Sequence, residues 1–309
     1  MSKRLFFVIS VLLFNFLFVV SAFAMSNEEF LKICENGNIK QIKAAIAKGA
    51  DVNAKDEKGT TALMWAKYNP KPLEPIKTLI KAGADVNAKD KRGQTVLMYA
   101  VTYTHSHEVI THLLKSGADV NAQDNEGLTA LMLLARNEPI WFPWDVDIPK
   151  YRAKNYKSIR ILIEAGANVN AQDKEGRTAL MHAAEENEDP TIITGLIKAG
   201  AKVNMRDNYK TTALIRGAEY AANPAVIKAL IKGGAEVNYE NYPILIVALF
   251  NQNNQAIIPE LIKAGADIDA KDKNGLTALD GAESLKDYKA MDILKKAKKK
   301  QNDKKNNKK

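Results

Sequence analysis

The sequence predicts an all-α solenoid of about eight stacked helix-turn-helix units with β-turn or hairpin tips, and three observations carry that expectation. First, Gly-Ala followed by a polar residue, Val or Ile, and Asn or Asp begins at Gly49, Gly83, Gly117, Gly166, Gly200, Gly234 and Gly265, with spacings of 34, 34, 49, 34, 34 and 31 residues. Second, Thr-Ala-Leu or Thr-Val-Leu begins at Thr61, Thr95, Thr129, Thr178, Thr212 and Thr277. Third, an apolar stripe at helical spacing, Ile76/Leu79/Ile80, returns as Ile110/Leu113/Leu114, Ile159/Leu162/Ile163, Ile193/Leu196/Ile197, Ile227/Leu230/Ile231 and Ile258/Leu261/Ile262. A fixed period of this size describes units that bury their apolar faces by stacking on their neighbours. Length alone, 309 residues, would suggest two compact domains, and the repeat overrides that arithmetic.

Each element of a unit has a local reason. The tip Lys55-Asp56-Glu57-Lys58-Gly59 is polar and ends in glycine, which suits the positive φ of a tight turn. Thr61 is a good helix N-cap, and Ala62-Leu63-Met64-Trp65-Ala66 begins a short apolar helix. The Ile76 stripe marks a second helix, and Gly83 is its stop signal. Helices this short cannot hold themselves together alone, so stacking is obligatory.

These phrases resemble the ankyrin repeat family. Gly59-Thr60-Thr61-Ala62-Leu63-Met64-Trp65-Ala66 is similar to the family pattern G-x-T-P-L-H-x-A, and Gly83-Ala84-Asp85-Val86-Asn87-Ala88 extends the match. The resemblance covers residues 26–299, read as units 26–54, 55–88, 89–122, 123–171, 172–205, 206–239, 240–270 and 271–299. Glu28, Glu29 and Lys32 polarise the first unit and Asp280, Glu283, Lys286 and Asp287 the last, as capping units require. The chain departs from the pattern where proline would stand (Ala62, Val96, Ala130, Ala179, Ala213) and where histidine would stand (Met64, Met98, Met132, Met181, Ile215). Apolar, adaptable packing is therefore expected in place of histidine hydrogen bonds. Lys210 replaces the turn glycine of the sixth unit, and Tyr242-Pro243-Ile244-Leu245 replaces the threonine phrase of the seventh, where local irregularity is expected.

The 49-residue fourth unit holds an insertion over 137–151 with Trp141, Phe142 and Trp144, and its prolines Pro139, Pro143 and Pro149 argue against a regular helix. Insertions in solenoids map to loops on one face, often the binding face, and aromatic anchors are enriched at interface hot spots. The alternative is a loop that folds its aromatics back onto adjacent units. The resemblance implies a contact surface of tips and first helices, on which Trp65 and Tyr99 hold the variable position and Tyr68 and Tyr103 lie near the helix end. Trp141, Phe142, Trp144, Trp65, Tyr68, Tyr99 and Tyr103 are the candidate partner-binding residues.

The composition, 46% hydrophobic and 26% charged, is that of a soluble globular chain. The net charge of +9 resides at the ends: residues 1–24 carry +2 and residues 295–309 carry +8, leaving −1 for the body. The folded surface is thus not basic, which argues against nucleic acid as a partner. Residues 1–24 have a cationic start, an apolar run from Leu5 to Val20 and a small-x-small site at Ala22-Phe23-Ala24, the three parts of a signal peptide cleaved after Ala24. A periplasmic or secreted location follows, with an uncleaved anchor over 5–24 as the alternative. Cys34, the lone cysteine, excludes an internal disulfide and reads as a core thiol. Residues 300–309 read as a disordered lysine-rich tail able to adhere to anionic envelope polymers or lipid headgroups.

Nothing in the sequence supplies a catalytic constellation. His105, His107 and His112 lack helical i, i+4 metal spacing, no nucleotide, hydrolase or zinc-protease motif is found, and no cofactor or metal is expected. The expectation is a monomeric, non-catalytic protein-binding scaffold exported from the cytoplasm, with two alternatives: a structural envelope protein held at an anionic surface by its tail, or a secreted host-directed effector.

Overall fold

A computed structural model describes residues 25–104, 106–136, 148–186, 189–221, 223–239, 242–251 and 253–306. The signal-peptide segment 1–24 and the aromatic residues Trp141, Phe142 and Trp144 lie outside the described residues. The described residues form sixteen α-helices and no named strand, only isolated β-bridges such as Lys55–Thr61 and Lys271–Thr277 at the tips. The all-α repeat fold predicted by the phrase spacing is therefore the fold observed.

The chain divides into two compact units, residues 1–119 and 120–309, where the sequence suggested one repeat domain over 25–299. In a stack each repeat touches only its neighbours, so contacts are thin at every repeat boundary and a division can fall at one of them. In the first unit the helix pairs are α1 (Asn27–Asn36) with α2 (Ile39–Ala47), α3 (Ala62–Trp65) with α4 (Leu73–Lys81), and α5 (Val96–Tyr99) with α6 (His107–Lys115). In the second they are α7 (Ala130–Arg136) with α8 (Ile148–Glu164), α9 (Ala179–Glu186) with α10 (Pro190–Lys198), α11 (Ala213–Tyr220) with α12 (Pro224–Lys232), α13 (Ile244–Leu249) with α14 (Asn254–Lys263), and α15 (Ala278–Ser284) with α16 (Tyr288–Asn306). Within each unit, first helices pack on first helices and second helices on second helices.

The threonine phrase caps the first helices as its spacing predicts. Thr61, Thr95 and Thr212 each accept the backbone N–H three residues on, at 3.2 to 3.4 Å. The methionines that replace the family histidine answer in kind: Met64, Met98 and Met132 each turn Sδ to the N–H of the cap threonine at 3.5 Å. They are thus not purely apolar filler, since a buried N–H that the turn leaves open finds a weak acceptor in the sulfur. Pro243 caps α13 with no side-chain bond, the consequence of the missing threonine in that repeat.

The second-helix stripe is shifted from its sequence reading. Val109, Ile110 and Leu113 are buried while Leu114 is half-buried, and the same holds for Ile192/Ile193/Leu196 against Ile197 and Val226/Ile227/Leu230 against Ile231. The residue before each isoleucine faces the core, because the helix packs on two neighbours and on its own partner helix, and this widens the apolar face toward that side.

Between repeats runs an asparagine ladder. Asn53 donates to Gly83 O at 3.3 Å and accepts from Asp85 N at 2.8 Å. Asn87 does the same for Gly117 and Asp119, Asn170 for Gly200 and Lys202, and Asn204 for Gly234 and Glu236. The carbonyl that accepts each asparagine N–H belongs to a helix-stop glycine with positive φ, such as Gly83 at +96°.

Two sequence expectations need correction. Residues 148–151, read as part of an irregular insertion, begin α8, with Pro149 in its first turn, where the missing N–H costs nothing. Residues 300–306, read as disordered tail, continue α16, because Ala290 and Leu294 bury one face of that helix and the lysines ride on as its extension.

Candidate functional site

Each described tip is organised around one aspartate. Asp56 Oδ1 accepts from the backbone N–H groups of Lys58 and Thr60, both at 2.8 Å, which closes the turn. In four of the tips the second carboxylate oxygen is reached by the side chain nine residues on, from the first helix. Trp65 Nε1 donates to Asp56 Oδ2 at 3.2 Å, and Tyr99 Oη donates to Asp90 Oδ2 at 2.8 Å. In the second unit His182 Nε2 lies 2.9 Å from Asp173 Oδ2, and Arg216 Nη2 donates to Asp207 Oδ2 at 2.6 Å. Trp65 and Tyr99, assigned from the resemblance to a variable contact position, are therefore first of all the residues that clamp a tip to its helix.

In the first unit this geometry gathers all four aromatic candidates that fall on described residues. α3 ends in a 3-10 turn, Ala66–Tyr68, and α5 ends in a π-helical turn, Ala100–Thr104. These irregular turns swing Tyr68 and Tyr103 together, with ring centroids 6.3 Å apart. Trp65 lies 5.7 Å from Tyr68, and Tyr99 stacks on Tyr103 at 5.8 Å. Tyr99 is buried at 5% exposure, whereas Tyr68 and Tyr103 stand 51% and 38% exposed. A cleft of about 670 Å³ opens here, lined by Leu31, Asp56, Trp65, Lys67, Arg92 and the three tyrosines.

At the centre is a residue the sequence reading missed. Lys67 Nζ sits 3.5 Å from the Tyr99 ring centroid, 4.1 Å from Tyr103 and 4.4 Å from Tyr68, a cation against three aromatic faces. Burial first, and then the nearby Arg92, push its ammonium down to about 7, with Asp90 opposing. The signal that would have found it is register. Lys67 stands six residues after Thr61, and the equivalent positions hold Val101, Ala135, Ala184 and Ala218, all buried, with a charge again only at exposed Glu283 of the last repeat. Burial also raises the hydroxyls of Tyr68 and Tyr99 above the usual phenol range, so both remain donors at neutral pH.

Burial pushes the Cys34 thiol up to about 12, which removes it as a nucleophile. His105 lies outside the described residues, and among the described residues no group of three His, Cys, Asp or Glu side chains could hold a metal ion. Nor is any described helix long and apolar enough to cross a membrane.

The repeat geometry and the motif spacing define a class, and comparison with known families agrees. A family model described as ankyrin repeats (3 copies) matches residues 30–124 and 151–241, more than half of the chain. The chain belongs to the ankyrin repeat family. No curated protein matches it. Ankyrin repeats are generally protein–protein interaction modules, and proteins built from them are typically non-enzymatic scaffolds.

Proposed function

We propose that this protein is an exported, non-catalytic scaffold that binds a protein partner through the aromatic cleft of its first unit, with Trp141, Phe142 and Trp144 as a further contact. The observation that carries the reading is the pair Tyr68 and Tyr103, exposed side by side above a buried lysine. Exposed tyrosines at the rim of a cleft supply large contact area with little side-chain entropy to lose, the composition of binding hot spots. Export is supported by the three-part pattern of residues 1–24, and the mature chain would then begin at Met25, which N-terminal mass analysis of the exported protein tests.

A photo-crosslinking amino acid placed at Tyr68 or Tyr103 tests the contact surface. A discrete protein adduct from these positions, and none from exposed Lys81 or Lys115 on the second helices, is the expected result. Equal labelling at all four positions would remove the cleft from the reading.

A second reading, an envelope protein held at an anionic surface, is favoured by the lysines of α16. Three of these are already paired: Lys295 with Glu283 at 3.7 Å, Lys296 with Asp292 at 2.7 Å and Lys298 with Asp269 at 2.8 Å. That leaves a smaller field than the raw charge of residues 295–309 suggests, so the scaffold reading is preferred. A secreted, host-directed role is a variant of that first reading.

A further inference from the structure

One buried cation of the first unit has no contact ion pair. Lys67 is 7% exposed, and among the described residues no hydrogen bond or ion pair to its Nζ accompanies the three ring faces. The stack itself asks for an apolar side chain at this register, so the lysine carries a burial cost that packing does not explain. Of the carboxylates nearby, Glu57 stands exposed on the cleft wall and the others have partners of their own. Asp56 receives two backbone N–H groups and Trp65, Asp90 receives two backbone N–H groups and Tyr99, and Glu28 pairs with Lys32 at 2.9 Å.

A second cation stands at the same ring. Arg92 Nη2 lies 3.4 Å from Tyr99 Oη and its Nε 3.8 Å from Asp90 Oδ2, with its side chain 66% exposed, so Tyr99 has an ammonium on its face and a guanidinium at its hydroxyl edge that keeps its outer N–H groups open to solvent. A cationic guest would be repelled by both groups and would find the ring faces taken. An anionic guest would complete the site, and the hydroxyls of Tyr68 and Tyr103 could donate to it.

We propose that the Lys67–Arg92 cleft is a carboxylate-binding site that takes an Asp- or Glu-bearing segment of the partner protein, the carboxylate between the two cations and the rest of the segment against Tyr68 and Tyr103. This deepens the scaffold reading and rests on it. It also makes recognition sensitive to pH. Beside Lys67 stand Tyr68 on its own turn, Tyr99 and Tyr103 from α5 and its π turn, and Arg92 and Asp90 from the tip, while Glu28 of α1 and Lys55, Asp56, Glu57 and Lys58 of the preceding tip line the same cleft. A bound carboxylate favours the ammonium that burial and Arg92 disfavour, so binding takes up a proton wherever free Lys67 is neutral.

The test uses the full chain with ¹³C-labelled lysine, titrated with an N-acetylated tetraglutamate amide. The Lys67 Cε resonance should shift to saturation, with affinity falling at least tenfold from pH 6.5 to pH 8.5 and at least tenfold in either Lys67→Met or Arg92→Gln. Arg92 is exposed, so its variant folds even if the Lys67 variant does not. A tetraglutamine peptide should leave the resonance in place. The proposal is overturned if tetraglutamate leaves Lys67 unmoved, binds both variants undiminished, or is replaced by tetralysine as the better ligand. Inorganic phosphate acting as strongly as tetraglutamate also overturns it. Crosslinking at Tyr68 without tetraglutamate binding would sink this proposal alone, whereas failure of both would sink the scaffold reading as well.

Discussion

Arg216 reaches back nine residues to Asp207, its Nε at 3.0 Å and Nη2 at 2.6 Å from the same carboxylate oxygen, while Nη1 holds Glu185 of the preceding repeat at 2.9 Å. One side chain therefore joins a tip, its own first helix and a neighbouring helix. Arg216→Ala removes the charged partner of the Asp207 carboxylate, which is fully buried, and should cost about 3 kcal/mol in urea unfolding. Arg216→Lys, with one ammonium in place of a fork, should recover less than half of that.

The tip aspartates set an acid limit to stability. At Asp207 burial raises the carboxyl, but hydrogen bonds from Thr211 and Arg216 outweigh it, and the net shift is downward. At Asp173 burial is likewise outweighed, by His182 and the backbone of Arg177. A carboxyl depressed on folding contributes stability that is full above its unfolded value near 3.9 and is lost as pH falls through the folded value. Urea midpoints should hold from pH 7 down to about 5 and then fall, and Asp207→Asn should be less stable at pH 7 with a shallower acid limb.

Turn chemistry offers a gain. Lys210 sits at φ +63° in the tip position that glycine fills elsewhere, and Lys210→Gly should stabilise the chain by about 0.5–1 kcal/mol through relief of a left-handed side-chain conformation. The reverse change, Gly127→Ala, should destabilise by more than about 1 kcal/mol, since φ is +78° and the new Cβ would lie 2.9 Å from the Lys174 backbone nitrogen. Thermal melts of the two variants, moving in opposite directions, check both.

Lys67 gives the opposite pH signature to the aspartates. Its folded value near 7 is below the unfolded value of about 10.4, so the unfolded chain holds more protons between those limits and stability rises with pH across them. Lys67→Met should be more stable than the natural chain at pH 6, and the difference should shrink steadily toward pH 9. Melting temperatures at half-unit intervals would show it, and a constant difference would exclude a folded Lys67 whose ammonium is pushed down by burial.

Repetition made most of this fold readable. Thr61, Gly59 and Gly83 are local devices, a cap, a turn and a stop, and each works within a few residues of itself. What escaped the sequence was what depends on several repeats at once. The 3-10 and π turns after Trp65 and Tyr99 bring Tyr68 and Tyr103 together across repeats, and no single helical period encodes that meeting. Lys67 was visible in principle, as a charge in a column of buried alanine and valine, but only alignment of the repeats by register exposes it. The aromatic candidates Trp65, Tyr68, Tyr99 and Tyr103 were named without the lysine that sits against the three tyrosines. Trp141, Phe142 and Trp144 were named for their place in the insertion of the fourth unit and lie outside the described residues.

Affinity for the partner captured at Tyr68, measured by titration calorimetry for the natural chain and for Tyr68→Ala/Tyr103→Ala, tests the scaffold reading most directly. The account predicts at least about a tenfold loss of affinity with the melting temperature held within a few degrees, as for truncated hot-spot residues. Undiminished affinity in a folded double variant would contradict it.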